Sequence, residues 1–454
     1  MMLKTLLVAN RGEIARRIFR TARKMGLRTI AVYSEADKEA PFVQDADEAH
    51  LIGPASPRDS YLKIEAVLDV ARRTGADAVH PGYGFLSENA AFARAVQEAG
   101  LCFVGPDPAT IQSVGGKLDA RELARTAGVP VVPGSGPLTD PDEARTVASK
   151  IGYPVMIKAS AGGGGIGMTL VSDEKKLPRA LEDAQRKGAT FFGSDIVYIE
   201  KFIPSPAHVE VQILGDHEGR VVAIGDRDCT VQRRNQKVIE EAPSPRLSAA
   251  TRQAMLEAAQ RLGEASAYVN AGTVEMIYCG SGDSEGSYYF LEVNSRLQVE
   301  HPVTEMVTGL DLVEHQIRIA AGESLPSDWV LSGVPTTGHA IEARVCAEDP
   351  DRRFLPKPGR LGQVTFASGE HLRVDSGVET GSEISSAYDS LMAKMIAWGE
   401  DRDAALDRLK DGLSRTILEG ASNLSLFPRV LDHPLFRQGR HDTSFLASEL
   451  GLKS

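Results

Sequence analysis

In LEVNSRLQVEHP, residues 291–302, the polar side chains Glu292, Asn294, Arg296, Gln298 and Glu300 recur at every second position. As an extended segment, this spacing predicts one polar face, with Leu291, Val293, Leu297 and Val299 turned into a core and Pro302 ending the run. A solvated edge strand would show the same alternation. The order of the groups says more. Glu292 and Asn294 offer hard oxygen ligands suited to magnesium and its accompanying phosphates. Arg296 supplies a planar fork for a small oxyanion, Gln298 a hydrogen bond to the same anion, and Glu300 a carboxylate able to take its proton.

Other stretches offer complementary chemistry. YPVMIKASAGGGGIGMTLV, residues 153–171, sets two apolar strands, one carrying Lys158, around a glycine run centred on Gly163, Gly164 and Gly165. A hairpin needs one or two glycines, so this run exceeds a turn. It suits a flap of exposed N–H groups over phosphates; a flexible linker is the plainer alternative. IVYIEKFI (196–203) reads as a strand with Glu200 and Lys201, and AHVEVQILGD (207–216) as another with His208 and Glu210. DRDCTVQRRNQKVIEEAP (226–243) is rich in Arg and Lys, which fits a solvated face or an anion pocket. AGTVEMIY (271–278) and YYFLEVN (288–294) are expected to form a hairpin bringing Glu275 beside Glu292. Two carboxylates that close repel unless a cation lies between them.

These groups need a scaffold, and the first hundred or so residues alternate strand and helix. KTLLVAN, a helix carrying Ile14, Ile18 and Ala22 up to Gly26, RTIAVYS, helices near 61–74 and 88–99, DAVHPGYG and LCFVG together predict a parallel α/β sheet. The turn NRGEIA holds one glycine where a dinucleotide fingerprint needs three, which argues against NAD. HPGYGFLSEN (80–89) is a ligand loop or a structural turn at a strand's carboxyl end. A helix with Lys117 and the turn-rich VPVVPGSGPL lead into a second domain. The net charge of −11, with no long basic run, argues against nucleic acid. No apolar stretch approaches a membrane span of about 18 residues, so a cytoplasmic protein is expected. Cys102, Cys229, Cys279 and Cys346 form no CxxC pair, and neither a disulfide framework nor a zinc knuckle is indicated.

The ordered stretches ANRGEIA, HPGYGFLSEN, GGKLDAR, YPVMIKASAGGGGIGM, RRNQKVIEEAP, LEVNSRLQVEHPVTEM, EARVCAEDP and FLPKPGRL resemble the biotin carboxylase family of ATP-grasp ligases over essentially the whole length. The resemblance implies an N-terminal α/β domain over 1–113, an ATP-grasp domain over 114–334 with a glycine-loop lid at about 131–203, and a mostly β C-terminal domain over 335–454. It also implies that Lys117, Lys158, Gly163, Gly164, Gly165, Glu200, Lys201, His208 and Gln232 contact ATP, and that Glu275, Glu292 and Asn294 hold Mg2+ or Mn2+. Lys237, Arg296, Gln298 and Val299 match the bicarbonate site, Glu300 the base that deprotonates bicarbonate, and Arg344 and Tyr83 the biotin side.

The implied reaction carboxylates biotin on a carrier protein through carboxyphosphate. The implied partners are a biotin carboxyl carrier protein, carboxyltransferase subunits and a second copy of the chain. An acetyl-CoA or broader acyl-CoA carboxylase, serving fatty acid biosynthesis, is the expected setting. Ile166 stands where many acyl-CoA-linked relatives carry Arg or Lys, and Asn235 where acetyl-CoA-linked ones often carry His. With LEVN and FFGSD (191–195), these details are similar to the urea and propionyl-CoA branches. Another carboxylate-amine ligase would need an amine site, and a silent homologue would be free to lose catalytic residues that are all present here. The triplet Ala393-Lys394-Met395 imitates a biotin-acceptor site, but the apolar run LMAKMIAW (391–398) predicts a buried strand.

Overall fold

Strands that are apolar on both faces require cover on both sides, which a parallel sheet between helices supplies. A computed structural model of the chain describes residues 3–138, 140–160, 168–280 and 286–452. In it β1 (Thr5–Val8) is wholly buried, with Leu6 and Val8 packed with Ile14, Ile18 and Ala22 of α1 (Gly12–Lys24) in one core and Leu7 in another. β2 (Arg28–Ser34), β3 (Glu48–Gly53), β4 (Ala78–His80) and β5 (Cys102–Phe103) complete a parallel sheet ordered β3-β2-β1-β4-β5. The helices expected between them are α2 (Ile64–Thr74) and α3 (Ala90–Glu98). The sequence pattern does not predict β3, a mostly half-buried edge strand whose residues EAHLIG lack alternation.

The strands flanking the glycine run are present as β6 (Val155–Ala159) and β7 (Met168–Val171). With β8 (Val197–Lys201) they form a separate antiparallel sheet ordered β7-β6-β8, covered by Leu177, Leu181 and Ala184 of α4 (Leu177–Phe192). Gly163, Gly164, Gly165 and Ile166 lie outside the described residues.

The site is carried by an eight-stranded antiparallel sheet. Its members are β9 (Ala207–Gly215), β10 (Val221–Arg233), β11 (Gln236–Ala242), β12 (Asn270–Cys279), β13 (Ser287–Asn294), β14 (His339–Cys346), β15 (Leu372–Ser376) and β16 (Leu391–Gly399). They run in the order β13-β12-β9-β10-β11-β14-β16-β15. On β9, Val209, Val211 and Ile213 pack with Met255, Ala259 and Leu262 of α5 (Ala249–Ala265). The alternate residues His208, Glu210 and Gln212 therefore share the other face, which is polar and almost as deeply buried.

The single extended run expected over 291–302 is corrected here. β13 stops at Asn294, residues 295–299 turn, and Glu300 is the residue before α6 (His301–Thr308). Pro302 lies in the first turn of that helix, where its missing N–H leaves nothing unpaired. The cause is packing. Leu297 enters the core that α1 shares with the end of β9, and the Ser295 N–H donates to Glu88 Oε1 (3.2 Å) instead of to a neighbouring strand. Leu291 and Val299, expected in a core, are half-buried and line a cavity. Val303 and Val307 of α6 pack on Ala242, Ala340 and Ile396, which seats the helix across β11, β14 and β16.

Among the described residues, no helix is long and apolar enough to cross a membrane. The buried strand expected around Lys394 is β16, in which Lys394 is 0% exposed. Protein expressed with excess biotin should therefore show the unmodified intact mass at this position; a biotin adduct mapped to Lys394 would contradict the strand assignment.

Candidate active site

The hairpin of β12 and β13 pairs Glu275 directly with Glu292, with a register shift immediately after Glu275. Beside this pair lies a cavity of about 560 Å³. Lys117, Lys158, Tyr198, Glu200, His208 and Gln232 line one part of it; Lys237, Arg296, Gln298, Val299, Glu300, Arg344 and Tyr83 line another. Glu275, Glu292 and Asn294 also reach its wall. Of the site residues expected from the sequence and described in the structure, Lys201 alone is not in the lining. On β8, Tyr198 and Glu200 face the cavity, so the next residue turns away. The Lys201 ammonium donates instead to the carbonyls of Gly152 (2.8 Å) and Tyr153 (3.2 Å).

Lys237 Nζ sits among three carboxylates, donating to Glu210 Oε2 (2.6 Å), Glu275 Oε1 (2.9 Å) and Glu300 Oε1 (2.5 Å). The other Glu300 oxygen accepts from Arg344 Nη2 (2.8 Å), and Arg344 Nε lies 2.5 Å from Glu240 Oε1. Burial alone would push the Glu300 carboxyl up; Lys237, Arg344 and Arg227 outweigh it and hold the group well below the usual carboxylate range. Glu275 is likewise held down against its burial, by Lys237 and His208. His208 Nε2 is 3.1 Å from Glu275 Oε2, and that charge overcomes desolvation to raise the imidazole. Glu292 moves the other way, raised by burial and by the neighbouring Glu275.

No side-chain hydrogen bond reaches Glu292 among the described residues, whereas Glu275 and Asn294 carry protein partners. The three donors are hard oxygens, and Glu292 is a buried carboxyl raised first by its burial and then by the negative charge of Glu275 beside it. The set fits a small divalent cation. Burial and Lys158 lower the Lys117 ammonium, although Glu292 and Glu200 pull it upward, and Lys158 Nζ lies 2.5 Å from Glu200 Oε2. Together these lysines form a cationic lining suited to phosphate oxygens.

Arg296 is braced on three sides. Nε donates to Glu88 Oε2 (3.0 Å), Nη1 to Gln298 Oε1 (2.7 Å) and Nη2 to Asn294 Oδ1 (3.0 Å). Sequence reasoning did not name Glu88, although it lies in the turn-rich loop 80–89 singled out as a ligand loop or turn. Glu240 and Arg227 were also missed. Glu240 follows the basic cluster directly, but nothing in a strand pattern says that it lies behind Arg344. Arg227 is fully buried beneath the site, donating to Glu210 Oε1 (2.6 Å), Gln212 Oε1 (2.8 Å), Thr304 Oγ1 (3.0 Å) and Thr273 Oγ1 (3.0 Å).

Family models match three consecutive stretches: Biotin carboxylase, N-terminal domain, over residues 2–111; Carbamoyl-phosphate synthase L chain, ATP binding domain, over 116–328; and Biotin carboxylase C-terminal domain over 342–448. A biotin carboxylase of Halalkalibacterium halodurans is 48% identical, covering 100% of this chain and 99% of its own. The chain belongs to the biotin carboxylase family. It is an ATP-grasp ligase and the biotin carboxylase component of a biotin-dependent carboxylase. Another biotin carboxylase relative, the propionyl-CoA carboxylase alpha chain of Ruegeria pomeroyi, is 47% identical over 99% of this chain and 68% of its own length. Among solved structures, the biotin carboxylase domain dimer of Hydrogenobacter thermophilus 2-oxoglutarate carboxylase, in complex with MgADP, ADP and bicarbonate, superposes with a TM-score of 0.92. It is 42% identical, and the match covers 100% of this chain and 99% of that one.

Within this biotin carboxylase fold, Arg227 satisfies four acceptors that have no access to water. Arg227→Met should lower stability by about 3–5 kcal/mol, because a buried pair is broken and its partners are left behind. Urea unfolding measures this; a variant as stable as wild type would mean that Lys237 alone compensates Glu210.

Proposed function

We propose that the chain uses ATP and bicarbonate to carboxylate biotin presented by a carrier protein. The observation that carries this reading is the placement of Glu300, with one oxygen on Lys237 and the other on Arg344. Those cations keep the carboxylate ionised, ready to accept a proton. Bicarbonate entering beside Arg296, Gln298 and Lys237 brings a negative charge that raises the proton affinity of Glu300 as it competes for the same ammonium. Glu300 then takes the bicarbonate proton, the freed oxyanion attacks the γ-phosphorus, and ADP leaves. Lys117 and Lys158 hold phosphate oxygens in line. Magnesium, when bound by Glu275, Glu292 and Asn294, supplies positive charge against the phosphate oxygens.

Carboxyphosphate breaks down to CO2 and phosphate; the phosphate takes the N1′ proton of biotin, and N1′ attacks CO2. Arg344 stabilises the negative charge that develops on the ureido oxygen, and Tyr83 lines the biotin side. The bound species named for the Hydrogenobacter thermophilus structure, MgADP and bicarbonate, support the nucleotide, metal and bicarbonate parts of this reading. Its dimer supports a homodimer here. Working units of 1–113, 114–334 and 335–454 belong to this reading, with a lid at about 131–203; the three family matches, over 2–111, 116–328 and 342–448, support the division into units.

The partners are a biotin carboxyl carrier protein and carboxyltransferase subunits. The final acceptor in this proposal is an acyl-CoA, acetyl-CoA foremost. The similarity to a propionyl-CoA carboxylase alpha chain supports an acyl-CoA. Identifying the transferase that copurifies with the chain checks the acceptor.

Magnesium- and bicarbonate-dependent ATP hydrolysis should be faster with free biotin at high concentration than without it; equal rates would count against the assignment. In Glu300→Gln, shape and one hydrogen bond remain but proton acceptance is lost. Turnover should fall by about 10²- to 10⁴-fold while nucleotide affinity is retained. Near wild-type turnover would reduce Glu300 to part of a polar wall, and an equal collapse of ATP affinity would make its role structural.

A further inference from the structure

Three distant parts of the chain meet on one buried ammonium group. Lys394 Nζ donates to the main-chain carbonyl of Val299 (2.8 Å) and lies 3.2 Å from Glu13 Oε1. That same Glu13 oxygen accepts the Tyr83 hydroxyl, and the Lys394 ammonium is 6.0 Å from the centroid of the Tyr83 ring. Glu13 is itself buried, and its second oxygen has no hydrogen-bond partner among the described residues. Lys394 is also the cross-strand neighbour of Arg344 on β14 and of Asp375 on β15. Asp375 is taken up by Arg373 and Arg20.

Stability alone does not call for a lysine here. A well-packed apolar residue of similar volume commonly serves a core as well as a buried ion pair does. What the ammonium supplies is directed donation to the Val299 carbonyl and a charge beside Glu13, and both partners connect to the active site. Val299 is the last residue before Glu300, and with Gln298 it lines the cavity. Tyr83 lines the same cavity on the side assigned to biotin.

We propose that Lys394 is a positioning residue that couples the bicarbonate side of the site to the biotin side. By holding the Val299 carbonyl it fixes the turn that aims Glu300 between Lys237 and Arg344. Through Glu13 it fixes the phenol of Tyr83. This rests on the function proposed above, and it gives a role in the reaction to a lysine that never meets substrate.

The test uses the full chain with Lys394→Met, Lys394→Arg and Glu13→Gln, and measures KM and kcat separately for ATP, bicarbonate and free biotin, together with thermal unfolding. Lys394→Met keeps length and loses donation. It should raise the KM for both bicarbonate and biotin and lower turnover by about 100-fold, the scale of a misplacement of about 1 Å, while the KM for ATP stays close to wild type. Lys394→Arg should recover part of the loss, because a donor is restored. In Glu13→Gln the effect should fall on the biotin KM more than on the bicarbonate KM. A Lys394→Met enzyme with a lower melting temperature and every KM unchanged would overturn the proposal. If Lys394→Met does not fold, Glu13→Gln decides: a raised biotin KM supports the coupling and an unchanged one overturns it. A wild-type chain without biotin-stimulated ATP hydrolysis would instead remove the functional reading, and this one with it.

Discussion

The ammonium of Lys237 lies within hydrogen-bond distance of Glu210, Glu275 and Glu300, three carboxylates that are almost wholly buried. Without a cation at their centre such groups repel, and each would tend to take up a proton. Much of the local architecture serves that arrangement. Arg227 compensates Glu210 from beneath, His208 approaches Glu275 from the adjacent strand, and Arg344 takes the free oxygen of Glu300. Charge is balanced locally, yet the groups remain open to exchange partners when an anion or a metal enters.

The sheet makes this possible because it has one apolar face and one polar face, both buried. α5 covers the first and α6 helps cover the second. Ending β13 at Asn294 is therefore a functional event. It frees the chain to turn, brings Arg296 against Glu88, and delivers Glu300 to the start of a helix seated across β11 and β14. Had the strand continued, Glu300 would have stood in line with Glu292, out of reach of Arg344.

Much of this was legible in the sequence, for identifiable reasons. Short-range periodicity exposed the strands and helices of the N-terminal sheet, the strands around the glycine run and the Glu275–Glu292 hairpin, because each element's pattern is local. That the N-terminal strands lie parallel followed from their alternation with helices, since β1 meets β4 across some seventy residues. Family resemblance supplied the remaining site residues. Alternation misled where tertiary packing overrode it: residues 291–302 carry a strand pattern, but the burial of Leu297 and the bond to Glu88 turn the backbone. Glu88 and Glu240 stayed hidden because their partners lie far away in sequence, Glu88 and Arg296 being 208 residues apart. Arg227 stayed hidden because a basic residue in a charged stretch reads as solvated, whereas pairing of β10 with β9 buries it against Glu210 and Gln212. Lys201 illustrates the reverse case. It matched a motif, yet the alternation of β8 places its side chain on the face opposite Glu200.

The seam between β11 and β14 has a further implication. Four residue pairs, from Ile239 with Ala343 to Ala242 with Ala340, join the central stretch of the chain to its C-terminal part within one continuous ladder. A chain severed near residue 335 would leave β11 as an open edge, with unpaired N–H and C=O groups and Glu240 beside no guanidinium. Although the family models divide the chain at that point, the halves are not separable bodies: each completes the hydrogen bonding of the other, and loss of either would expose a surface prone to self-association.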